Sequence, residues 1–190
     1  MILQDRIELY HASYIPVKNI DLSLCSDGKD FGKGFYVTTD YKQACKFVKT
    51  SIKKAIKNGI ELSNNLVGYI STYLFDKEII DLSIFEFNNA NREWLHCVAC
   101  HRKSSLIIDT SKNWNEYDII VGKIANDTTN QVLTAYINGL YGEVGSDFAD
   151  ETAIRLLLPN KLSDQICFKS TKSINSLKFL ESKVINIDES

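Results

Sequence analysis

The sequence lacks the features that mark membrane, secreted and fibrous proteins. Its 190 residues include only two prolines, and its five cysteines are odd in number, without the spacing of a disulfide framework. No apolar run approaches the roughly 18 residues of a membrane span. No basic segment followed by an apolar stretch is visible at the amino terminus. We therefore expect a cytoplasmic protein with reduced thiols and no membrane partner.

The charge of the chain also lacks a strong bias. Lysine and arginine number 22 and aspartate and glutamate 24, which gives a formal net charge of −2. This balance argues against a protein that binds polyanions through bulk charge. Hydrophobic residues at 44% and charged residues at 24% are typical of globular proteins. Since no linker, repeat or low-complexity tract is present, residues 1–190 are predicted to form a single domain.

The hydrophobic pattern predicts a mixture of strands and helices. Alternating or short apolar runs predict strands over residues 6–13, 35–38, 67–76, 117–125 and 165–170. Helical periodicity predicts helices over residues 41–57, 90–103, 126–140 and 148–158. A short helix and a strand are predicted after Thr171. Because these elements do not follow strict βαβ alternation, we predict an α+β fold with a mainly antiparallel sheet.

The predicted helix over residues 41–57 has one apolar face and one basic face. Apolar residues at every fourth position predict a buried face of Ala44, Val48, Ile52 and Ile56. Thr39 or Asp40 is predicted to cap the start of the helix, and Gly59 to end it. The helix also carries six lysines. They are interpreted either as a solvated surface or as a patch that attracts the phosphates of a ligand or nucleic acid.

Three motifs resemble functional signatures but lack the surroundings that those functions need. Residues 97–101 match the C-x-x-C-H of haem attachment, yet the cysteines fit a predicted helix as small core residues, and a second ligand pair for zinc is missing. Residues 30–32 spell the D-F-G of kinases without the other kinase motifs. Gly28, Gly32 and Gly34 precede a strand, whereas a Rossmann turn would open a helix. No metal site is predicted.

Two segments, residues 9–13 and 30–47, combine side chains suited to a nucleotide. His11 lies at the end of a predicted strand beside small residues, which let a ligand approach the backbone, and a histidine can donate to a ribose hydroxyl. In the second segment a glycine-containing loop leads to Tyr36 and then to Phe47, two aromatics suited to sandwiching a flat ring. Each residue alone is more often structural; the combination indicates a binding site.

Together the strings LYHAS and DFGKGFYVTTDYKQA resemble the NAD-binding half of the ADP-ribosyltransferase clan, in its diphtheria-toxin-like and poly(ADP-ribose) polymerase branch with the H-Y-E pattern. More closely, the chain is similar to a bacterial family of uncharacterised domains in that clan, whose members are often encoded beside small genes that look like antitoxins. Residues 93–95 with Arg102, 118–127 and 164–168 fit the same family in the same order. The resemblance implies a split, mainly antiparallel sheet core with flanking helices, and an NAD cleft between two sheets.

The resemblance also assigns NAD contacts to individual residues. It implies that His11 hydrogen-bonds the nicotinamide ribose and that the backbone of Ala12 reads the carboxamide. Ser13 would contact the adenosine-side ribose region. Tyr36 would stack on the nicotinamide, and Phe47 stands where the polymerase branch places its second stacking aromatic.

The same resemblance places Gly34 and Phe35 at the cofactor, with Gly34 letting the loop pass close to it. The third element of the clan is a glutamate at the start of a late strand, which holds ribose hydroxyls and stabilises an oxocarbenium-like transition state. In this chain Gln165 matches that position. An amide can hydrogen-bond ribose but carries no charge and cannot act as a general base. The resemblance thus gives a catalytic set of His11, Tyr36 and Gln165.

The glutamine leaves three interpretations open. In the first, the enzyme is a slow or mono-specific transferase that is helped by its acceptor or by another acid. In the second, a nearby acid reaches into the site. In the third, the fold binds NAD and catalyses no reaction. The candidate acids are Glu143, Asp147, Asp150 and Glu151. Asn126 and Asp127 are interpreted either as a helix cap or as acid or acceptor-positioning residues. Arg102 is interpreted either as a partner of the pyrophosphate or as a surface ion pair.

The resemblance therefore implies an NAD-dependent ADP-ribosyltransferase, the toxin of a bacterial toxin–antitoxin or defence pair. NAD would be its substrate, no metal would be needed, and the acceptor would be a protein, a nucleic acid or a small molecule. A cognate antitoxin protein is the expected partner. The alternative is a catalytically silent NAD or nucleotide sensor, or a partner-binding module, which the uncharged Gln165 favours.

Overall fold

The structure is a computed structural model that describes residues 3–62, 67–77, 81–108, 112–124, 127–158 and 162–186, without the side chains of residues 127 and 128. The strands are β1 (Glu8–Ser13), β2 (Phe35–Val37), β3 (Val67–Phe75), β4 (Ile84–Glu86), β5 (Ile119–Lys123), β6 (Asp164–Phe168) and β7 (Leu177–Asn186). The helices are α1 (Tyr41–Lys57), α2 (Arg92–Arg102), α3 (Asp127–Ile137), α4 (Asp147–Leu157) and α5 (Thr171–Ile174). Across these ranges no helix has both the length and the apolar character needed to cross a membrane.

The strands form two sheets. The three-stranded sheet has the order β1-β3-β7, and both of its pairings are antiparallel. The four-stranded sheet has the order β2-β6-β5-β4, in which β5 is antiparallel to β6 and parallel to β4. The predicted α+β class and the mainly antiparallel pairing are confirmed. The strand β4 was not predicted, because three residues are too few to show an alternating pattern.

The described chain divides into two compact units, each assembled from three separate segments. The first unit comprises the described residues within Met1–Leu3, Leu22–Phe35 and Leu82–Ser170. The second unit comprises those within Gln4–Asp21, Tyr36–Asp81 and Thr171–Ser190. The chain passes from the first unit to the second inside β2, between Phe35 and Tyr36. That residues 1–190 act as a single domain stays a prediction.

In the second unit α1 packs on the three-stranded sheet. Its buried core is a cluster of Ala44, Val48, Ile52 and Ile70. The helix begins as predicted, since the carboxylate of Asp40 accepts from the backbone nitrogens two and three residues on, at 2.8 and 3.2 Å. It ends before Gly59, which adopts a left-handed φ of +78°.

One prediction for the buried face of α1 was wrong. Ile56 is 51% exposed, and Ala55 is buried in its place. Steps of four residues advance about 400° around a helix of 3.6 residues per turn, so a strict four-residue series drifts off the buried side. A step of three from Ile52 returns to that side, and it reaches Ala55.

In the first unit β5 and β6 form the centre of the core, with α2 packed nearby. The apolar residues of both strands are fully or almost fully buried: Ile119, Ile120, Val121, Ile166, Cys167 and Phe168. From α2, Trp94, Cys97 and Val98 are buried, and for Cys97 this is the core position that the sequence predicted. Gln165 is the buried polar residue of β6 and lies among these apolar neighbours, and its surroundings are the basis of the site described below.

Candidate functional site

His11 lies on β1 in the second unit, where the backbone of Tyr36 holds its ring. The preceding residue, Tyr10, exchanges two backbone hydrogen bonds with Thr38, with N–O distances of 2.8 and 3.0 Å. This bridge brings His11 beside β2, and its Nδ1 atom lies 2.8 Å from the carbonyl oxygen of Tyr36. Because a carbonyl oxygen only accepts, Nδ1 carries a proton and donates it.

The environment of His11 favours the neutral ring. Burial lowers the pKa of His11, and the hydrogen bond to the Tyr36 carbonyl opposes that effect only in part. In a neutral imidazole protonated at Nδ1, the other nitrogen, Nε2, holds the lone pair. Toward a ribose hydroxyl, neutral His11 is therefore suited to accept a hydrogen bond, where the sequence predicts a donor.

The other predicted residues of the second unit differ in exposure. Tyr36 and Ala12 are partly buried, and Ala12 packs against the core cluster beneath α1. Ser13 is buried, and its Oγ accepts a long hydrogen bond of 3.4 Å from the backbone two residues on. Phe47 lies on α1 with 37% of its surface exposed. The structure thus brings His11 and Tyr36 into direct contact and leaves Phe47 open to solvent.

Gly34 and Phe35 belong to the first unit. A Cβ atom on Gly34 would lie 2.7 Å from the carbonyl oxygen of Phe168 and would also strike the Sγ atom of Cys167. Phe35 is buried, with 4% of its surface exposed. A glycine is therefore required at position 34 by packing against β6.

Gln165 is buried on β6, and its amide nitrogen serves two acceptors. Nε2 donates to Oδ2 of Asp30 over 2.7 Å and to the carbonyl oxygen of Lys123 over 3.3 Å. A carboxylate and a carbonyl both only accept, so an amide NH₂ is the group that satisfies them. Both amide hydrogens are used in this way. Oε1 is consequently the amide atom that takes no part in these two contacts.

Asp30 is the centre of a buried polar group. Its second oxygen, Oδ1, accepts from Nε and Nη2 of Arg102 at 2.9 and 2.6 Å. The third guanidinium nitrogen, Nη1, donates to Oδ1 of Asn130 over 2.5 Å. Arg102 therefore pairs with a buried carboxylate, its own side chain being 17% exposed. We refer to Asp30, Arg102, Lys123 and Gln165 as the Asp30 cluster.

The residue after Asp30 anchors the loop that carries it. Phe31 is fully buried, and its ring stacks on Phe87 with centroids 5.8 Å apart. A Cβ on Gly122 would lie 2.9 Å from the Phe31 ring, so the strand approaches closely because it has a glycine there. The Phe31 carbonyl accepts from Nζ of Lys169 over 2.8 Å. These contacts fix the position of Asp30, and they explain the D-F-G string without a kinase.

Among the candidate acids, Asp150 lies in the interior of the protein and is hydrogen-bonded there. It is fully buried, and its oxygens accept from Nε2 of His96 at 2.7 Å, Nε of Arg92 at 3.1 Å and the hydroxyl of Tyr136 at 2.5 Å. Asp147 is exposed and pairs with Arg92 Nη1 at 2.8 Å. The remaining two acids, Glu143 and Glu151, are exposed. Asp150 therefore joins α2, α3 and α4 as an internal acceptor.

Two further predictions concern the start of α3. Asn126 lies outside the described residues. Asp127 is the first residue of α3, but its side chain is outside the described part as well. Their roles as cap or acid stay predictions.

The C-x-x-C-H string lies on α2 and its histidine is engaged within the helix. Nδ1 of His101 donates to the carbonyl oxygen of Cys97 over 2.8 Å, and Nζ of Lys169 donates to Nε2 of His101 over 3.3 Å. Burial raises the pKa of the Cys97 thiol, which disfavours the thiolate that ligates metals. Within the described ranges, no group of three or more His, Cys, Asp and Glu side chains is placed to hold a metal ion.

Comparison with known families gives one result. Residues 7–179 match the family described as "Protein of unknown function (DUF3990)". The chain belongs to this family. Neither the curated proteins nor the solved structures contain a match to it. Both His11 and Gln165, and the whole Asp30 cluster, fall inside the matched region of this DUF3990 member.

Sequence reasoning missed Asp30 in this DUF3990 chain. The D-F-G string is a kinase signature, and the other kinase motifs are missing from this sequence. The available signal was an acidic residue next to a large apolar residue, inside a glycine-containing loop of otherwise polar character. Such a pair indicates a loop anchored by its apolar residue, but it does not reveal that Gln165 is the partner, since 135 residues separate the two.

Proposed function

We propose that this chain is an ADP-ribosyltransferase that uses NAD as its substrate, and that it is the toxin of a bacterial toxin–antitoxin or defence pair. The observation that carries the proposal is the contact between His11 Nδ1 and the Tyr36 carbonyl oxygen. It joins the first two residues of the H-Y-E-like pattern, although 25 positions separate them in the sequence. A contact of this kind supports a shared binding role and does not arise from sequence proximity.

His11 and Tyr36 would bind the nicotinamide end of NAD. Nε2 of neutral His11 would accept a hydrogen bond from a ribose hydroxyl, because the proton of the ring is committed to the Tyr36 carbonyl. The ring of Tyr36 would stack on the nicotinamide ring. Because the acceptor is a main-chain atom, His11 keeps its orientation whichever side chain is present at position 36.

In the reaction the bond between ribose C1′ and nicotinamide N1 breaks. Its electron pair goes to N1 and cancels the positive charge of the ring, so neutral nicotinamide leaves. An oxygen or nitrogen nucleophile of the acceptor forms the new bond to C1′ and releases its proton to solvent. Positive charge develops on the ribose in the transition state, and Oε1 of Gln165 is the polar atom proposed to face it.

The experiment measures nicotinamide release from NAD by the purified chain, with a cell lysate as the source of acceptors. We expect release by the wild type and its loss in Tyr36→Ala. The matched control is Tyr41→Ala, which removes an exposed aromatic at the start of α1 in the same unit. Release that is equal in all three proteins would refute the assignment of Tyr36.

The second candidate function is an NAD-binding module without chemistry. The observation that favours it is the neutral amide at position 165, which brings no charge to stabilise a cationic transition state. Calorimetric titration with NAD distinguishes the two functions when nicotinamide is measured in the same samples. Binding without release over hours, with acceptors present, indicates the silent module.

A further inference from the structure

We propose that Asp30 is a positioning residue for Gln165, and that its carboxylate polarises the amide at the position where the resemblance expects a glutamate. Asp30 holds the amide of Gln165 so that Oε1 faces the ligand. Its carboxylate accepts a hydrogen bond from Nε2, the other polar atom of that amide. The orientation of the Gln165 amide follows from contacts within the Asp30 cluster alone. The catalytic consequence rests on the proposed function.

The orientation follows from what each atom can do. Nε2 of Gln165 lies 2.7 Å from Asp30 Oδ2 and 3.3 Å from the Lys123 carbonyl oxygen, and both are acceptors. Rotating the amide by 180° would place Oε1 against these two oxygens and leave three acceptors without a hydrogen between them. Burial of this group makes unsatisfied contacts costly. The amide therefore has one stable orientation.

The carboxylate of Asp30 is itself held from the other side. Two nitrogens of Arg102 contact Oδ1, and Gln165 contacts Oδ2, so the two oxygens have different partners. Arg102 is fixed in turn by Asn130, and Phe31 anchors the loop. Asp30 thus has a defined position in the first unit without any ligand.

The charge of Asp30 acts on the amide that it holds. A hydrogen bond from an amide N–H to a carboxylate is charge-assisted and stronger than one between neutral groups. Hydrogen bonds in series polarise one another, so the Asp30 carboxylate makes Oε1 of Gln165 more negative than that of an isolated amide. Oε1 then stabilises a cationic ribose better than an ordinary glutamine would.

The same geometry explains why a glutamate does not suit this position. A carboxylate oxygen in place of Nε2 would lie 2.7 Å from Asp30 Oδ2. Two carboxylates at that distance cannot both stay ionised. Gln165 is therefore matched to Asp30: the carboxylate, which pairs with Arg102 through its other oxygen, holds the amide nitrogen and leaves one oriented amide oxygen.

The first arm of the test observes the amide directly by NMR in protein labelled with both ¹⁵N and ¹³C. The side-chain signal of Gln165 is assigned by its disappearance in Gln165→Glu. We expect both amide protons to be shifted downfield and slow to exchange in the wild type, and a scalar coupling across the hydrogen bond from Nε2 to the Asp30 carboxylate carbon. Absence of that coupling, with rapidly exchanging amide protons, overturns the proposal without the need for a variant.

The second arm uses Asp30→Asn, with Asp27→Asn as its control. Asp27 is an exposed residue of the same loop. In Asp30→Asn the new amide presents a donor to Gln165, which turns its own Oε1 inward. We expect the Gln165 signal to lose its downfield shift in this variant only. An unchanged signal in folded Asp30→Asn overturns the proposal.

The third arm is kinetic and depends on the proposed function. For nicotinamide release we expect kcat of Asp30→Asn to fall about 100-fold, the scale seen when a preorganised electrostatic group is removed. KM for NAD should change little. The double variant Asp30→Asn with Gln165→Glu restores a donor–acceptor pair with exchanged roles, and it should recover most of the lost kcat.

The arms separate the two proposals. If the wild type releases no nicotinamide while the NMR coupling is present, the proposed function fails and the positioning of Gln165 stands. If the wild type releases nicotinamide and Asp30→Asn does so equally well, Asp30 has no part in catalysis and this inference fails alone.

Discussion

The Nδ1 atom of His11 lies 2.8 Å from the main-chain carbonyl oxygen of Tyr36, so the histidine ring is oriented by backbone and not by a side chain. The two residues can therefore be changed separately. Replacing Tyr36 removes a ring and keeps the acceptor of His11. Replacing His11 removes the imidazole and leaves the Tyr36 carbonyl to find another donor.

His11→Ala and Tyr36→Ala are both expected to abolish nicotinamide release. The first variant loses the acceptor for a ribose hydroxyl, and the second loses the stacking surface for nicotinamide. Thermal unfolding should show that both variants remain folded, since neither side chain belongs to the buried cluster under α1. Turnover retained in both folded variants would remove His11 and Tyr36 from the site.

Phe47→Ala is expected to raise KM for NAD about 3- to 10-fold, the effect of losing one aromatic stacking contact. Phe47 is 37% exposed, so the free energy of unfolding should fall by less than the about 3–5 kcal/mol of a fully buried Phe→Ala change. Steady-state kinetics and urea unfolding measure the two quantities. Ile56→Ala, which removes another exposed apolar side chain from α1, is the control. An unchanged KM would show that Phe47 does not stack on the substrate.

Asp150→Ala is expected to destabilise the protein by about 3 kcal/mol, because it leaves the buried donors of His96 and Tyr136 without their acceptor. The neighbouring change Glu151→Ala, at an exposed position, should alter stability by less than about 0.5 kcal/mol. Urea unfolding gives both values. An Asp150→Ala protein as stable as the wild type but without nicotinamide release would instead identify Asp150 as the missing acid.

Stability is expected to fall as the pH drops below about 6.5, the ordinary pKa of histidine. Burial lowers the pKa of both His11 and His101 in the folded protein, and the charge of Lys169 adds to the effect at His101. The unfolded chain therefore binds these protons at higher pH than the folded one. The contribution of the two histidines to the free energy of unfolding is present above pH 6.5 and is lost as the pH falls toward their folded pKa values. The free energy of unfolding then changes by at most about 1.4 kcal/mol per pH unit for each histidine.

Urea unfolding between pH 8 and pH 5.5 checks this expectation, with His101→Gln as the comparison. A glutamine at position 101 can accept from Lys169 without titrating. The slope below pH 6.5 should be smaller in the variant than in the wild type. Equal slopes would mean that protonation of His101 is not coupled to folding.

Local patterns predicted most of the fold. The helix α1 was predicted over 41–57 and spans Tyr41–Lys57, because its apolar residues recur at helical spacing and Asp40 caps it. The error at Ile56 came from extending a four-residue step beyond the turns in which it stays on one face. The three-residue strand β4 has too little pattern of its own, and it forms through pairing with the buried β5.

The candidate site was less accessible to sequence reasoning. His11, Tyr36 and Gln165 were proposed from a resemblance, and Gln165 was interpreted as a loss of charge. The charge next to it belongs to Asp30, whose hydrogen bond to Gln165 joins residues 135 positions apart. No local pattern encodes a contact of that separation, which depends on how the loop anchored by Phe31 meets β6.

The most direct test of the central claim uses NAD labelled in its adenosine moiety, incubated with the purified protein and a bacterial lysate that is then separated into protein, nucleic-acid and metabolite fractions. The wild type should leave label covalently bound in one fraction and release an equal amount of nicotinamide, and Tyr36→Ala should do neither. Absence of both covalent label and nicotinamide with the folded wild type would contradict the account of this protein as an ADP-ribosyltransferase.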